Sequence, residues 1–548
     1  MKRTFIVLLC VSALSASLRG ISAPFEGPLP AQGTESVDAA AYAKIRDEGM
    51  NRSKVMDHMF WLTDRYGPRL TGSPGFEEAG DWAVKTLQSW GMQNVRKERW
   101  AFGKGWSLQR FNAAMIEPQV MPIIGMPKAW STSTKGPITA DVVQATVTNA
   151  ESAAKYKGQL RGKIVLTQPA REVRMLDQPV VLRYTDDPKW MEEALSMPPP
   201  RGRGAGAAGA DAPGGAGAGR GGRGTGFSVN QFYQDEGVIA LVDRGANGDL
   251  RAGGSDLTWQ TQVVDGGTVF LGAGGTRDAT AGSGLPQITI AVEHYNRMIR
   301  LLEHNVPVKM SLDVEVKFRD ETEPNGFNVI GELPGTDLKD DVVLIGAHFD
   351  SWHGATGATD NAAGSAAMME VLRILNATGL KPRRTIRIAL WGGEEQGLLG
   401  SRDYANRHLG EPGKPLPENA RHVAYYNIDN GTGKIRGVWM QGNEAVKPIF
   451  SEWIRPLKDL GVEILGPRPV ASTDHTNLDR VGVPAFQFIQ ERYEYNSRTH
   501  HSNMDFLDRV QPDDMKQIAT VVATFVWQTA NRAQPLPRKP APAGGGGQ

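Results

Sequence analysis

The sequence predicts an α/β fold with a mixed, largely parallel central sheet, helices on both faces of it, and an inserted β-rich domain. From about residue 323, apolar runs of strand length alternate with segments of helical periodicity. This alternation is typical of parallel sheets covered by helices. Ahead of it, residues 120–318 hold short apolar runs separated by turns that contain glycine and asparagine, which is the pattern of successive β-strands.

The first 23 residues have the composition of a secretory signal peptide. A basic start precedes an apolar segment at 5–18, which is shorter than a membrane-spanning helix needs. We therefore expect a secreted or periplasmic protein, with a polar lead-in at 24–40 and no stable insertion into a membrane. Cys10, the one cysteine, lies in this segment, so the exported chain would have neither disulfides nor thiolate ligands.

The rest of the chain divides where its pattern changes. A helical repeat at spacings of three and four marks residues 79–90. Ser73–Pro74 before it and Gly91 after it form a typical start and stop. We predict a main domain in two parts, an insertion and a disordered tail, at 41–119 and 319–532, at 120–318, and at 533–548 respectively.

Residues 198–226, inside the insertion, are rich in glycine and arginine. Such a composition buries too little apolar surface to offset the entropy lost on ordering, so we expect a disordered loop. The arginines have no interleaved aromatic residues, and the whole chain carries a net charge of only +1. These features argue against a nucleic-acid partner.

Acidic residues and histidines follow the predicted strands of the main domain. His348 follows VVLIGA, Glu394 and Glu395 follow TIRIALW, and Asp429 follows VAYYNI. Asp360 begins the helix after the first of these strands, and THHSNMD follows a fourth strand. Ligands of open α/β sheets gather at the carboxyl ends of the strands, so we expect these side chains to meet at one edge of the sheet.

Imidazoles and carboxylates together are the donors that zinc prefers when no cysteine is present. Several carboxylates at one edge also favour a site for two metal ions. The neighbours Glu394 and Glu395 point in different directions at a strand end, so one can bind metal while the other serves as a general base toward water. The residues alone do not decide which does which.

The ordered segments HFDS, ATDNAAG, WGGEEQGLLGS, YYNIDN and HHSNMD, within about 323–530, resemble the motifs of the clan MH co-catalytic zinc exopeptidases. This family includes bacterial leucyl aminopeptidases, aminopeptidase Y and glutamate carboxypeptidases. GLKPRRTIRIALWGGEEQG and HHSNMDFLDRVQPDDM most resemble the carboxypeptidase Q type within it. YGPRLTGSPGFEEAGDWAVKTLQSWGM looks like the opening of these peptidase domains, and 120–318 resembles their inserted protease-associated domain.

Carried over by position, the resemblance implies two zinc ions per chain, with Asp360 bridging them. It also implies Glu394 as the general base, Asp350 as the acid that orients the His348 imidazole, and a cis bond between Asp360 and Asn361. The implied zinc ligands are His348, Asp360, Glu395, Asp429 and His501.

The segment THHSNMD offers two adjacent histidines, His500 and His501, as candidates for one zinc ligand. The family frame of histidine, serine or threonine, two variable residues and aspartate fits 501–505, so we expect His501 to bind zinc. Neighbours in an extended segment face opposite ways, so we expect His500 to line the substrate site instead. By its resemblance to a family loop, His475 is a second candidate for lining that site.

The resemblance therefore implies an exported zinc exopeptidase that hydrolyses dipeptides or short peptides, as a dipeptidase of the carboxypeptidase Q type. An aminopeptidase of the same family is the first alternative. A glutaminyl cyclase-like acyl transfer with one zinc ion is a more remote one. A non-catalytic relative would be expected to lose ligands, whereas all the positions are filled here. A homodimer stays open.

Overall fold

A computed structural model describes residues 35–173, 195, 227–245, 266–319, 324–471, 473–491 and 493–539. The predicted signal peptide and the predicted loop at 198–226 lie outside the described residues, as does the end of the predicted tail from 540. Among the described residues, no helix has the length and apolar character that crossing a membrane requires.

The strands are numbered along the chain. They are β1 (Gln93–Trp100), β2 (Gly105–Glu117), β3 (Met121–Pro122), β4 (Gly125–Pro127), β5 (Ile138–Gln144), β6 (Ile164–Leu166), β7 (Ala240–Asp243), β8 (Gln287–Ile290), β9 (Lys309–Arg319), β10 (Gly326–Leu333), β11 (Leu338–His348), β12 (Arg384–Trp391), β13 (Gly410–Glu411), β14 (Lys414–Pro415), β15 (His422–Asn427), β16 (Ile435–Trp439), β17 (Ile464–Gly466) and β18 (Ala485–Gln490).

The α-helices lie before, between and after these strands, together with several shorter helical turns. The helices are Ala39–Asn51, Val55–Phe60, Pro74–Ser89, Ala150–Ala154, Val229–Asp235, Val292–Glu303, Ala363–Ala377, Leu399–Tyr404, Lys447–Ile454, His475–Arg480 and Pro512–Asn531. Pro74–Ser89 begins as its sequence predicts, because the Ser73 side chain accepts a hydrogen bond from the Phe76 N–H and Pro74 occupies the first turn.

The main sheet has eight strands in the order β1-β10-β12-β11-β15-β18-β16-β17. Its centre is parallel, from β12 through β11 and β15 to β18, and antiparallel pairs flank it. The sheet is therefore mixed, as predicted. The parallel centre matters for function, because β11, β12 and β15 all end at the same edge.

Helices cover both faces of this sheet, which confirms the predicted α/β architecture. Side chains alternate along a strand, and β11 shows the result. Val343 and Ile345 pack in one apolar core with the helices Ala363–Ala377 and Pro512–Asn531. Val342 and Leu344 pack in another core, on Tyr404 and Leu478.

The second sheet also has eight strands, in the order β3-β2-β9-β5-β6-β7-β8-β4. It starts at Gly105, earlier than the boundary of 120 that the sequence suggested. The reason is β2, which pairs antiparallel with β9 from Gly105 to Glu117 and so belongs to this sheet. The helix that the repeat at 79–90 predicted spans Pro74–Ser89.

The start of the predicted tail is packed rather than disordered. Arg538 donates hydrogen bonds to the carbonyl oxygens of Asn419 and His422, at 2.6 and 3.0 Å. Leu536 is only 3% exposed. The disorder expected from the composition of 533–548 therefore does not extend to residues 533–539, because these contacts hold the segment on the protein.

Candidate metal centre

His348 lies at the carboxyl end of β11 and is 1% exposed. Its Nε2 is 3.1 Å from Asp360 Oδ1 and 3.3 Å from Asp429 Oδ1. Its Nδ1 is 3.0 Å from the main-chain oxygen of Asp350. Because a carbonyl oxygen only accepts, Nδ1 carries the proton and Nε2 is left with its lone pair toward the two carboxylates.

The contact that orients His348 therefore differs in detail from the one the resemblance implied. The Asp350 main chain accepts the hydrogen bond, while its carboxylate Oδ1 lies 3.7 Å from Nδ1. That carboxylate oxygen instead accepts a 3.2 Å hydrogen bond from the main-chain N–H of Glu394. Asp350 thus links the His348 loop to the turn that follows β12.

Asp360 lies in an irregular turn, Ala358–Ala362, just before the helix Ala363–Ala377. The bond between Asp360 and Asn361 is cis, as the resemblance implied. The main-chain N–H groups of Thr359 and Asp360 donate to the Asp505 carboxylate at 2.6 and 3.1 Å. This contact fixes the turn and leaves both Asp360 oxygens directed at histidines.

Two clusters of donors share Asp360. In each cluster the donor atoms lie within 4.8 Å of one another. One cluster faces β11 and β15, and the other faces the loop after β18; they are His348–Asp360–Asp429 and Asp360–His500–His501. A carboxylate that belongs to two adjacent donor sets has the position needed to bridge two ions.

We expected His500 and His501 to face opposite ways, and this expectation is wrong. Their rings stack with centroids 3.7 Å apart. The Nε2 atoms lie 3.5 and 3.4 Å from Asp360 Oδ2. The physical reason is local: His501 has a φ of 55°, so the segment turns sharply and is not extended.

Glu395 distinguishes the two histidines. Its Oε2 is 2.8 Å from His501 Nε2. The His500 ring instead packs edge-on against Tyr495, with centroids 4.6 Å apart. The geometry therefore groups His501 with a second carboxylate, and places His500 between that histidine and an aromatic side chain.

The two glutamates after β12 carry unusually basic carboxyl groups. Burial raises the pKa of Glu394 well above its usual range, and the charges of Asp429 and Asp474 add to this rise against the opposing effect of His348. Burial and the neighbouring Asp360 likewise raise the pKa of Glu395 to about 8. Several carboxylates buried close together repel one another when ionised, and a bound cation would stabilise their ionised forms.

The donors present fit a divalent metal. Asp360 Oδ2 and Glu395 Oε1 are buried and accept no hydrogen bond from any of the described residues. Buried oxygens of this kind are normally satisfied, and an ion held by carboxylates and imidazoles would satisfy them. Asp360, in contrast, has its pKa lowered despite its burial, chiefly by His500 and His348.

His475, the other predicted substrate-lining residue, lies in a tighter environment than expected. The ring is fully buried, and Nε2 is 3.2 Å from the Val470 carbonyl oxygen. Burial lowers its pKa to about 4. Its neighbour Asp474 is also buried, which raises the pKa of that carboxyl to about 7.

Two further contributors were not singled out from the sequence. Asp505, which holds the Asp360 turn, is the final residue of the histidine-to-aspartate frame, so the frame itself was a signal for it. The segment around Leu271, between β7 and β8, gave no such signal. The Leu271 N–H donates to the His501 carbonyl at 2.6 Å, and Val269 and Asn503 exchange hydrogen bonds of 2.7 and 3.1 Å.

Comparison with known proteins agrees with this site. The family model Peptidase family M28 matches residues 328–526, the part of the chain that carries every candidate metal ligand named above. Carboxypeptidase Q of Mus musculus is 24% identical over 508 residues, which is 92% of this chain and 90% of that protein.

Solved structures share the fold. A peptidase M28 precursor from Shewanella amazonensis is 25% identical, with a TM-score of 0.63, over 92% of this chain and 98% of that one. BSAP, a zinc aminopeptidase from Bacillus subtilis, is 17% identical with a TM-score of 0.51, over 91% of this chain and 97% of that one. With the metal-donor set at the ends of β11, β12 and β15, these matches show that residues 328–526 are similar to peptidase family M28 and that the chain is a zinc metallopeptidase.

Proposed function

We propose that the chain is an exported two-zinc exopeptidase that hydrolyses dipeptides or short peptides. The observation that carries the proposal is Asp360, which lies in both donor clusters. Burial of the site supports a small substrate: His348 and Asp360 are 1% and 3% exposed, so a folded protein chain cannot approach them.

We assign one ion to His348, Asp360 and Asp429, and the other to Asp360, Glu395 and His501. The first set is the buried cluster at the strand ends. The second joins His501 to its two nearest carboxylates, at 2.8 and 3.4 Å. When bound, zinc supplies Lewis acidity, which polarises a carbonyl and makes water more acidic.

Glu394 is the acid–base residue in this proposal. Its main-chain N–H donates a hydrogen bond to Asp350, and its carboxyl group lies close enough to His348 and Asp429 to interact with both charges. A carboxylate with a raised pKa accepts a proton readily at neutral pH. Glu394 takes the proton of the attacking water, holds it during attack on the scissile carbonyl, and delivers it to the leaving amine.

His500 and His475 are proposed to shape the substrate site. In the proposed ligand assignment His500 binds no zinc, and its Nε2 lies 3.5 Å from Asp360 Oδ2, where an imidazole can donate to an oxygen of the substrate. His475 is fully buried, so its contribution is to hold the segment around Val470, through the contact of its Nε2 with the Val470 carbonyl oxygen, rather than to contact the peptide directly.

Carboxypeptidase Q of Mus musculus aligns with 92% of this chain. For this reason the carboxypeptidase Q type is the first candidate. An aminopeptidase is the second candidate, because BSAP, which shares the fold, is a zinc aminopeptidase. A one-zinc acyl transfer is less well supported, because two donor clusters are present.

Outside the site, we propose secretion or periplasmic export after cleavage of residues 1–23. We expect a short peptide as the partner of the site, no nucleic-acid partner and no stable membrane insertion. A homodimer is left open.

Two substitutions test the assignment within the glutamate pair. Glu394→Gln should retain close to two zinc ions and lose about 10²–10⁴-fold in turnover, the scale of a positioned acid–base group. Glu395→Gln should lose zinc. The measurements are zinc content by elemental analysis, and turnover on free dipeptides, N-blocked peptides and aminoacyl anilides. Zinc loss in Glu394→Gln but not in Glu395→Gln would reverse the roles.

A further inference from the structure

The segment 69–71 lies outside the part of the chain that matches the family model, yet it contacts the loops on both sides of the metal centre. We propose that this segment is a clamp. Its arginine fixes the spacing of the ligands His348 and Asp360, and its threonine fixes the turn that carries Glu394. These are positioning residues, and the inference rests on the two-zinc hydrolysis proposed above.

The Arg69 guanidinium is fully buried and ties together the two ends of one loop. It donates hydrogen bonds of 2.8, 2.9 and 3.0 Å to three carbonyl oxygens of that loop, those of Phe349, Thr356 and Gly357. Phe349 directly follows His348, and Gly357 directly precedes the turn that contains Asp360. One side chain therefore sets how closely the ends of the loop approach.

Only arginine suits this place. A guanidinium presents five donors in a rigid, planar fork, whereas a lysine ammonium is a single point with rotatable donors. The charge also matters: although burial lowers the pKa of Arg69 to about 10, the nearby Asp505 and Asp350 carboxylates oppose the loss of its proton. Arg69 is therefore a permanent cation beneath an acidic site.

The Thr71 hydroxyl is fully buried and links the loop after β11 to the turn after β12. It donates to Asp350 Oδ2 at 2.9 Å and accepts from the Gly393 N–H at 3.0 Å. The other oxygen of Asp350 accepts from the Glu394 N–H at 3.2 Å. The Thr71 hydroxyl and the Asp350 carboxylate thus accept hydrogen bonds from two successive N–H groups of the turn, those of Gly393 and Glu394. These bonds fix the main chain from which the Glu394 side chain projects.

The first test is the isosteric substitution Thr71→Val, which removes the hydroxyl and keeps the volume. We expect kcat to fall roughly 10–100-fold, the scale of losing an outer partner of a metal site. KM should stay within about two-fold, because the change acts on the reacting groups rather than on substrate binding. Zinc content should remain that of the parent, and Thr71→Ser should restore most of kcat.

Thr63→Val is the matched control. Thr63 is equally buried and precedes the clamp in the chain, but its hydroxyl donates to the Met59 carbonyl within a helical turn. It should lose stability without a change in kcat. A fall in kcat as large as that of Thr71→Val would mean that any buried hydroxyl here matters only for folding, and would overturn the clamp.

The second test addresses the metal directly, with Arg69→Lys and chelator competition for zinc. We expect zinc to be held roughly 10–100-fold more weakly, because the loop between two ligands is no longer closed. Arg384→Lys is the control: Arg384 is also buried and donates to carbonyl oxygens, at the start of β12, far along the strand from the metal centre.

The outcomes separate clearly. Unchanged zinc retention in Arg69→Lys, or equal weakening in Arg384→Lys, overturns the role of the arginine. Unchanged kcat in Thr71→Val, or a loss that Thr71→Ser does not restore, overturns the role of the threonine. If Arg69→Lys does not fold, the comparison of Thr71→Val with Thr71→Ser decides whether the clamp exists. Zinc retention needs no substrate, so the clamp is testable even where the proposed hydrolysis fails.

Discussion

His408 makes a pH-dependent contribution to stability that can be measured away from the metal centre. Its Nδ1 is 3.1 Å from Glu418 Oε2, and its Nε2 is 3.0 Å from Glu98 Oε1. One imidazolium therefore ties β1 to the helical turn before β15. The other charged or titratable groups that face this cluster are Arg96, Arg387, Tyr404, Arg407 and His422.

The size of the effect follows from the proton affinity. The hydrogen bonds to Glu418 and Glu98 raise the pKa of His408 from 6.5 to about 9. At about 1.4 kcal/mol per tenfold change in proton affinity, this is at most about 3 kcal/mol. The side chain is 24% exposed, so solvent screening reduces the expected contribution to about 1–2 kcal/mol.

The direction with pH is fixed by linkage. The folded protein holds this proton more tightly than the unfolded chain, so the contribution is complete below the unfolded pKa of 6.5 and is lost as the pH rises through about 9. Glu98 and Glu418 have pKa values lowered to about 2, so both stay ionised throughout this window.

The assay is the free energy of unfolding of the parent and of His408→Gln, from urea titrations at pH 6 and pH 10. Taking the difference between the two proteins removes the titration of other groups, including any at the metal centre. We expect the parent to exceed the variant by about 1–2 kcal/mol at pH 6, and by far less at pH 10. A difference that is equal at both pH values, or larger at pH 10, would refute the assignment.

Two further predictions concern the metal centre. His501→Ala should drop bound zinc toward one ion, while His500→Ala should keep both ions and alter mainly substrate kinetics; zinc loss confined to His500→Ala would make His500 the ligand. Gly364→Ala should cost about 1–3 kcal/mol by overpacking and weaken zinc binding, because an added Cβ would lie 2.5 Å from Asn361 Oδ1 and 2.5 Å from the Ile428 carbonyl, beside Asp360 and Asp429. Gly284→Ala, where an added Cβ meets nothing within 4 Å, is its control in unfolding and zinc titrations.

The sequence alone determined the parts of the site that depend on local pattern. Apolar runs followed by acids and histidines placed His348, Glu394 and Asp429 at the ends of β11, β12 and β15. Parallel strands end at a common edge, so their convergence could be predicted from the order of elements. The absence of cysteine beyond Cys10 likewise limited the donors to oxygen and nitrogen.

Only the tertiary structure decided the contacts that cross between distant segments. The stacked rings of His500 and His501 depend on the positive φ of His501, which a periodic pattern of side chains does not encode. The start of the second sheet at Gly105 depends on pairing with β9, a partner some two hundred residues along the chain.

The hydrogen bonds of Arg69 to the loop 349–357, and the hydrogen bond from Leu271 to His501, are also contacts that only the tertiary structure decides. Their donors and acceptors are largely main-chain groups, which every residue possesses. Side-chain identity therefore marks the residues that meet a metal or a proton, whereas the segments that hold those residues in place are chosen by shape and hydrogen-bond geometry, which exist only once the chain has folded.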